Sequence, residues 1–311
     1  MSAAIVITEF MDPEVARSLT DEFGGFYDPT LVERRADIKA LLPECVALLV
    51  RNRTEVDEDL LACGPKLAVV GRLGVGLDNI DAEACRRRGI EVRSAVGTNH
   101  VSVAEYVLGA MLLLSRPLFF ATTEVAGGGW PRTTVAPGHE LAGQTLGLVG
   151  FGLIARTLAV RARALGMQVQ AYDPMLSADD TAWAEHGVRR NEFDELLPTS
   201  NVLSLHVPLT PKTRGLIDAG ALARLPPGAL LINTARGGIV DEEAAVAALH
   251  AGQLGGAALD VFDREPLPLS PAFQTAPNLI LTPHLAGLTE ESAARISQVV
   301  ASAVRQVLAG R

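Results

Sequence analysis

Cysteine is scarce. Cys45, Cys63 and Cys85 are the only three in 311 residues, and they form neither a CxxC pair nor a metal-ligand spacing. That argues against a disulfide-stapled secreted scaffold and against a zinc or cluster module. It predicts free thiols in a reducing cytoplasm and no bound metal. Positive charge is also short: 27 Lys and Arg stand against 36 Asp and Glu, a net charge of −9. A nucleic-acid footprint is not expected from such a balance. An acidic chain that binds anions must do so with single cations and backbone N–H groups, so individual arginines become informative. Long apolar runs are missing. The longest candidate, Val107 to Leu114, falls far short of the roughly 20 residues that cross a bilayer. The opening MSAAIVITEFMD has no basic n-region and no long h-region, so neither a signal peptide nor a membrane partner is expected.

What is present is a globular balance, 48% apolar and 20% charged, in a length that suits about two domains with ample cores. The first half alternates short apolar runs with helical stretches. Strands are expected at Ile5 to Thr8, Val46 to Val50, Leu67 to Val70 and Ile90 to Val92. Asp12 or Pro13 opens a first helix that Gly24-Gly25 ends, Thr54 caps a second, and Asp81 starts a third. The rhythm predicts a small parallel α/β domain. A boundary falls near Gly97-Thr98-Asn99. Ser102 to Leu114 reads as a long apolar helix needing cover on several faces, and Arg116 to Leu141 is rich in Gly and Pro with little core of its own.

Chemistry begins at Gly147 to Asp173. Leu146 to Val149 reads as a buried strand. Gly150-Phe151-Gly152-Leu153-Ile154-Ala155 follows as a glycine turn opening a helix, and Met167 to Tyr172 is a second strand ending in Asp173. Strand, turn, helix, strand and acid at this spacing bind a dinucleotide. Gly150 permits the tight turn, Gly152 admits the pyrophosphate, and the N–H groups of Leu153 and Ile154 face that anion. Ala155 takes the third small position of the pattern. Asp173 can accept hydrogen bonds from the ribose hydroxyls and repels a 2′-phosphate. Pro174 to Ser177 offer no cation. The cofactor expected is therefore NAD rather than NADP.

Three later clusters each follow an apolar run: Asn233-Thr234-Ala235-Arg236-Gly237-Gly238, Asp260-Val261-Phe262-Asp263-Arg264-Glu265, and Thr282-Pro283-His284-Leu285-Ala286-Gly287. Ligands of open parallel sheets bind just past strand ends. Arg236 can grip a carboxylate at two points. A lone arginine in such a place is as often a surface salt bridge, and a lone histidine is more often structural than catalytic. The three clusters in this order favour a functional set.

With these motifs the chain resembles the D-isomer-specific 2-hydroxyacid dehydrogenases over nearly its whole length. The carrying segments are GRLGVGLDNID, GTNHVSVAEY, GLVGFGLIARTLA with Asp173, HVPLTPKTRGLI, NTARGGIVDE, ALDVFDREP and TPHLAG. The resemblance implies two Rossmann-like α/β domains with parallel sheets. A flavodoxin-like substrate domain would be split across residues 1–98 and 289–311, with an NAD-binding domain at 99–288. It assigns Arg236, Glu265 and His284 as the catalytic set of a reversible hydride transfer between NAD(H) and a small 2-hydroxy or 2-keto acid. His284 would exchange the proton, Glu265 would support the charged ring, and Arg236 would hold the substrate carboxylate. Asp260 is expected near the carboxamide, and Val207, Pro208 and Thr213 along the adenosine and phosphates. Thr234, Ala235, Arg236, His284 and Ala286 complete the expected cofactor contacts.

Substrate contacts are expected from Leu73, Gly74 and Val75 through backbone N–H groups, from Asn99, and from Arg236. Arg72 and Arg132 resemble cations that meet a second anionic group in the phosphoglycerate dehydrogenase branch. LLVRNRTEVD and VVGRLGVGLDNID also look like sulfolactate dehydrogenases. Sulfolactate is therefore the leading substrate, followed by 3-phosphoglycerate and then hydroxypyruvate or glyoxylate. With the sequence ending at Arg311, the regulatory extensions of many phosphoglycerate dehydrogenases are not expected. His100 departs from the small residue often found there. A homodimer through residues 102–141 is implied. An NADH-sensing scaffold of the corepressor type shares the same motifs and is the alternative of another class. It is disfavoured because nothing suggests peptide recruitment.

Overall fold

The computed structural model describes residues 4–116, 119, 121–133 and 138–310. Contacts divide the chain into two compact units, Met1–Asn99 with Leu288–Arg311, and His100–Gly287.

The first unit is built on a parallel sheet of β1 (Ile5–Ile7), β2 (Gly25–Tyr27), β3 (Ala47–Val50), β4 (Val69–Arg72) and β5 (Glu91–Ser94). The strand order is β2-β1-β3-β4-β5, that of flavodoxin-like sheets. Strand alternation sends residues to two cores. Ile5, Ile7, Leu49 and Val69 join Leu19, Ile296 and Val300 on one face. Val6, Leu48, Val50 and Val70 join Ile38, Leu60 and Leu61 on the other. Each large aliphatic removed from water contributes about 2 kcal/mol. The final helix, Glu290–Ala309, opens with a capping box between Thr289 and Ser292. It lies close on β4: a Cβ at Gly71 would sit 2.8 Å from Val300 Cγ1.

Several boundaries differ from the sequence reading. Asp57, not Thr54, caps the short helix Glu58–Leu61. Thr54 is buried and its hydroxyl meets Thr8 Oγ1 at 2.8 Å. Gly25 does not merely end the first helix; it starts β2, a strand too short to show alternation. Glu9 is buried just past β1, and its carboxylate accepts the N–H groups of Arg51, Asn52, Arg53 and Thr54.

The second unit carries β6 (Thr145–Val149), β7 (Gln168–Tyr172), β8 (Arg189–Arg190), β9 (Val202–Leu205), β10 (Ala229–Asn233), β11 (Leu254–Leu259) and β12 (Leu279–Leu281). All pairs are parallel, in the order β12-β11-β10-β9-β6-β7-β8. The order reverses between β6 and β9, the switch point of a doubly wound dinucleotide fold. The long helix His100–Ser115 packs on helix Leu153–Ala164 and on β10 and β11. Val103, Val107, Met111 and Leu114 are buried there, while Leu112 and Leu113 stay exposed. Among the described residues no helix is long and apolar enough to cross a membrane.

Candidate active site

The second unit's sheet places the site by register. Tyr172, Val149, Leu205, Asn233, Leu259 and Leu281 form one continuous row across six neighbouring strands. Neighbours in such a row stand about 5 Å apart. Asp173, Gly150, Val207, Arg236, Asp260 and His284 each follow a member of this row within three residues. Parallel strands therefore deliver the separate sequence motifs to a single sheet edge.

At the switch point, Gly150 has φ +91, and a Cβ there would lie 2.5 Å from the carbonyl oxygen of His206. Only glycine lets β6 turn this close to the end of β9. Gly152 differs: a Cβ on it would meet nothing within 4 Å. It is the N-cap of helix Leu153–Ala164 and supplies no side-chain acceptor. The first-turn N–H groups, including those of Leu153 and Ile154, thus have no capping side chain, as binding of a pyrophosphate requires. Asp173 Oδ2 accepts the Phe151 N–H at 2.8 Å and Oδ1 accepts the Met175 N–H at 2.9 Å. The acid braces the glycine turn it serves. Thr234 Oγ1 is buried without a protein partner among the described residues, a polar atom that a bound ligand can satisfy. These features fit a dinucleotide. Val207 is half-buried beside Gly150. Thr213 folds its own turn, donating from its hydroxyl to the Pro208 carbonyl at 2.6 Å. His206 lies in the same stretch, with its Nε2 3.0 Å from Ser204 Oγ. Burial pushes its imidazole down to about 4.

After β10, Asn233 shapes the arginine turn. Its Oδ1 accepts the Ala235 N–H at 3.0 Å and its Nδ2 donates to the Arg236 carbonyl at 2.9 Å. Gly237 has no room for a side chain, since a Cβ would sit 1.8 Å from the Phe262 carbonyl oxygen. The loops after β10 and β11 are thereby pressed together. Arg236 is half-buried, and its Nη1 donates to the Ala235 carbonyl at 2.6 Å.

His284 Nδ1 lies 2.8 Å from Glu265 Oε2. The other carboxylate oxygen, Oε1, accepts the Phe262 N–H at 3.0 Å, so Glu265 is fixed from behind. With Glu265 ionised, Nδ1 must be the donor, which leaves Nε2 for a reacting group. The backbone of His284 is left-handed, φ +58, uncommon outside glycine. Asp260 holds it there. The Asp260 carbonyl accepts the His284 N–H at 2.8 Å. Its carboxylate accepts the Leu285 and Ala286 N–H groups at 2.7 and 2.8 Å and the Thr282 hydroxyl at 2.6 Å. Asp260 is 1% exposed, and these bonds make it a brace for the histidine loop. From sequence alone Asp260 is expected only near the cofactor. Thr282 also meets the Tyr106 hydroxyl, and neither residue was singled out from the sequence.

The first unit places the expected substrate residues at the carboxyl end of β4. Arg72 is 9% exposed, so it is not a surface cation. A Cβ on Gly74 would sit 1.9 Å from its Nη1. The Leu73 N–H donates to Val50 at 2.7 Å and the Gly74 N–H to Arg72 at 2.8 Å, both through carbonyl oxygens. Of the three expected backbone donors, only Val75 is without a protein acceptor among the described residues. Asn99 is half-buried and Arg132 is exposed.

Fold and site together define a nucleotide-dependent oxidoreductase of the doubly wound class. Comparison with known proteins narrows the class. Residues 108–286 match the NAD-binding domain of the D-isomer specific 2-hydroxyacid dehydrogenases. The chain is 51% identical over 307 residues to an (S)-sulfolactate dehydrogenase of Chromohalobacter salexigens, covering 99% of each chain. It is 42% identical over 276 residues to a D-3-phosphoglycerate dehydrogenase of Mycobacterium leprae, covering 89% of this chain and 52% of that one. The chain thus spans about half the length of that relative. Among solved structures, the TT0316 protein from Thermus thermophilus superposes with a TM-score of 0.86 at 31% identity, covering 99% of this chain and 97% of that one. A glyoxylate reductase from Paecilomyes thermophila does so with 0.85 at 27%, covering 100% and 97%. The chain belongs to the D-isomer-specific 2-hydroxyacid dehydrogenase family, and is an NAD-dependent oxidoreductase acting on CH–OH groups.

Proposed function

We propose that the substrate is a small 2-hydroxy or 2-keto acid with a second anionic group at C3, sulfolactate first. The single observation that carries the reading is the 2.8 Å pair of His284 and Glu265 on the same sheet edge as Arg236. Similarity over the full chain to a sulfolactate dehydrogenase supports the choice of acid. The place of the Arg72 guanidinium, at the carboxyl end of β4 beside the Gly74 loop, supports a second anion, because a cation there can meet one. 3-Phosphoglycerate presents a similar charge pattern and is the second candidate.

The residues divide the work. Gly150, Gly152, Leu153, Ile154 and Asp173 hold the dinucleotide, with Val207, Pro208, Thr213, Thr234, Ala235 and Ala286 along it. When bound, the nicotinamide supplies or accepts the hydride. Arg236 holds the substrate carboxylate and polarises the carbonyl. His284 gives a proton from Nε2 to the carbonyl oxygen on reduction and takes it back on oxidation. Glu265 keeps the ring oriented and stabilises its charged form. Arg72, Val75, Asn99 and Arg132 are proposed as further substrate contacts, with Leu73 and Gly74 shaping the loop after β4. The three free thiols favour a reducing cytoplasm. A homodimer through 102–141 is favoured by the exposed Leu112, Leu113, Phe119, Val125 and Trp130. Residues 117, 118, 120 and 134–137 of that segment lie outside the described residues.

The substrate reading is tested with Arg72→Gln. Its Michaelis constant should rise about tenfold or more for sulfolactate and little for lactate, a charge-assisted contact being worth roughly 1.5–3 kcal/mol. Equal changes for both acids remove the second-anion assignment.

A further inference from the structure

We propose that Tyr106 is a positioning residue for His284, acting through Thr282 and Asp260. The inference rests on the reading of His284 as the proton-exchanging group. Tyr106 projects from helix His100–Ser115, and its hydroxyl is 2.6 Å from Thr282 Oγ1. Thr282 Oγ1 is in turn 2.6 Å from Asp260 Oδ1. Proton counting fixes the direction. An ionised Asp260 carboxylate only accepts, so Thr282 must spend its single proton on it. Thr282 can then only accept from Tyr106. The chain therefore runs Tyr106 O–H to Thr282 O–H to the Asp260 carboxylate.

That carboxylate and its own carbonyl hold the next three N–H groups of the loop, His284, Leu285 and Ala286. The histidine they fix has an unfavourable positive φ, so its ring direction depends on these bonds rather than on intrinsic preference. Tyr106 is the outermost link and sits on a helix, whereas Thr282 and Asp260 lie in the loops after β12 and β11. It ties the loop to a helix that is itself packed on β10 and β11. Aligned hydroxyls also polarise one another, strengthening the inner bond to Asp260. Burial around Tyr106 raises its phenol above the usual range, which keeps the donor proton in place at working pH.

The test uses the full chain and four variants: Tyr106→Phe, Thr282→Val, Thr282→Ser and His284→Ala. Single-turnover NADH oxidation is followed with 3-sulfopyruvate, and separately with glyoxylate. NADH affinity is read by fluorescence titration and folding by Tm. Tyr106→Phe is expected to slow the single turnover about 3- to 10-fold with either keto acid. NADH affinity and Tm should stay close to wild type. Thr282→Val should be slower still, and Thr282→Ser should recover most of the rate. A Tyr106→Phe rate equal to wild type, with His284→Ala inactive, overturns the positioning role and leaves the acid–base reading intact. Losses in Tm and NADH affinity that track the loss in rate overturn it too, by making Tyr106 merely structural. An active His284→Ala removes the reading on which the inference rests.

Discussion

His284 and Glu265 are joined at 2.8 Å through Nδ1 and Oε2, while the second oxygen of Glu265 is held by the Phe262 N–H. The pair is thus oriented from the carboxylate side before any substrate arrives. Replacing Glu265 with Gln keeps the shape and removes the charge. Turnover should fall about 10- to 100-fold, within the range of general acid–base effects. Initial rates of keto-acid reduction check the loss. Turnover equal to wild type would separate Glu265 from the proton transfer.

Glycines 152 and 237 should respond oppositely to alanine. A Cβ at Gly152 enters open space, so Gly152→Ala should fold with an unchanged Tm. It should nevertheless weaken NADH binding, since the methyl stands where the pyrophosphate approaches the helix start. A Cβ at Gly237 lies 1.8 Å from the Phe262 carbonyl oxygen, so Gly237→Ala must move the backbone of one of two loops. Destabilisation of about 3 kcal/mol or more is expected. Urea unfolding and NADH titration distinguish the two results.

Asp173 braces Phe151 and Met175, and in the proposed reading its charge also repels a 2′-phosphate. In Asp173→Asn the side-chain amide still offers one acceptor oxygen to the turn but lacks the charge. The preference for NAD over NADP should shrink by about tenfold or more. Paired kcat/KM values for the two cofactors test this. An unchanged ratio would move cofactor choice to other residues.

Stability should fall in acid partly through His206. The folded protein protonates this ring only near pH 4, against 6.5 for an imidazole in water. Between those values the unfolded chain holds more protons, so unfolding becomes easier as pH drops. The stabilisation is complete above about 6.5 and is lost on descent through 4. His206→Gln should flatten the change in urea midpoint between pH 7 and pH 4.5. The same slope in both proteins would assign the acid sensitivity elsewhere.

The cofactor turn was legible because its parts are local. Gly150, Gly152 and Asp173 fall within one strand–helix–strand unit, and each residue type has a single backbone reason to be there. The clusters at Arg236, Glu265 and His284 were legible as strand-end motifs, since β10, β11 and β12 announce themselves as apolar runs. Their common row was not legible, because register between strands is a tertiary property. Nor was the Tyr106–Thr282–Asp260 chain, which joins residues 176 apart. Glu9 was missed for a similar reason. A lone acid after a strand carries no signal until the loop 51–54 turns four N–H groups onto it. Thr54 misled as a cap because Ser and Thr cap helices as readily as they pair in cores, and only packing against Thr8 decides.

The substrate claim meets its most direct test in one initial-rate panel: NAD and NADP, each with sulfolactate, 3-phosphoglycerate, glycerate and lactate. The account predicts NAD-linked turnover, with kcat/KM highest for sulfolactate and at least about tenfold above lactate. Lactate or glycerate oxidised as efficiently as sulfolactate, or a preference for NADP, would contradict it.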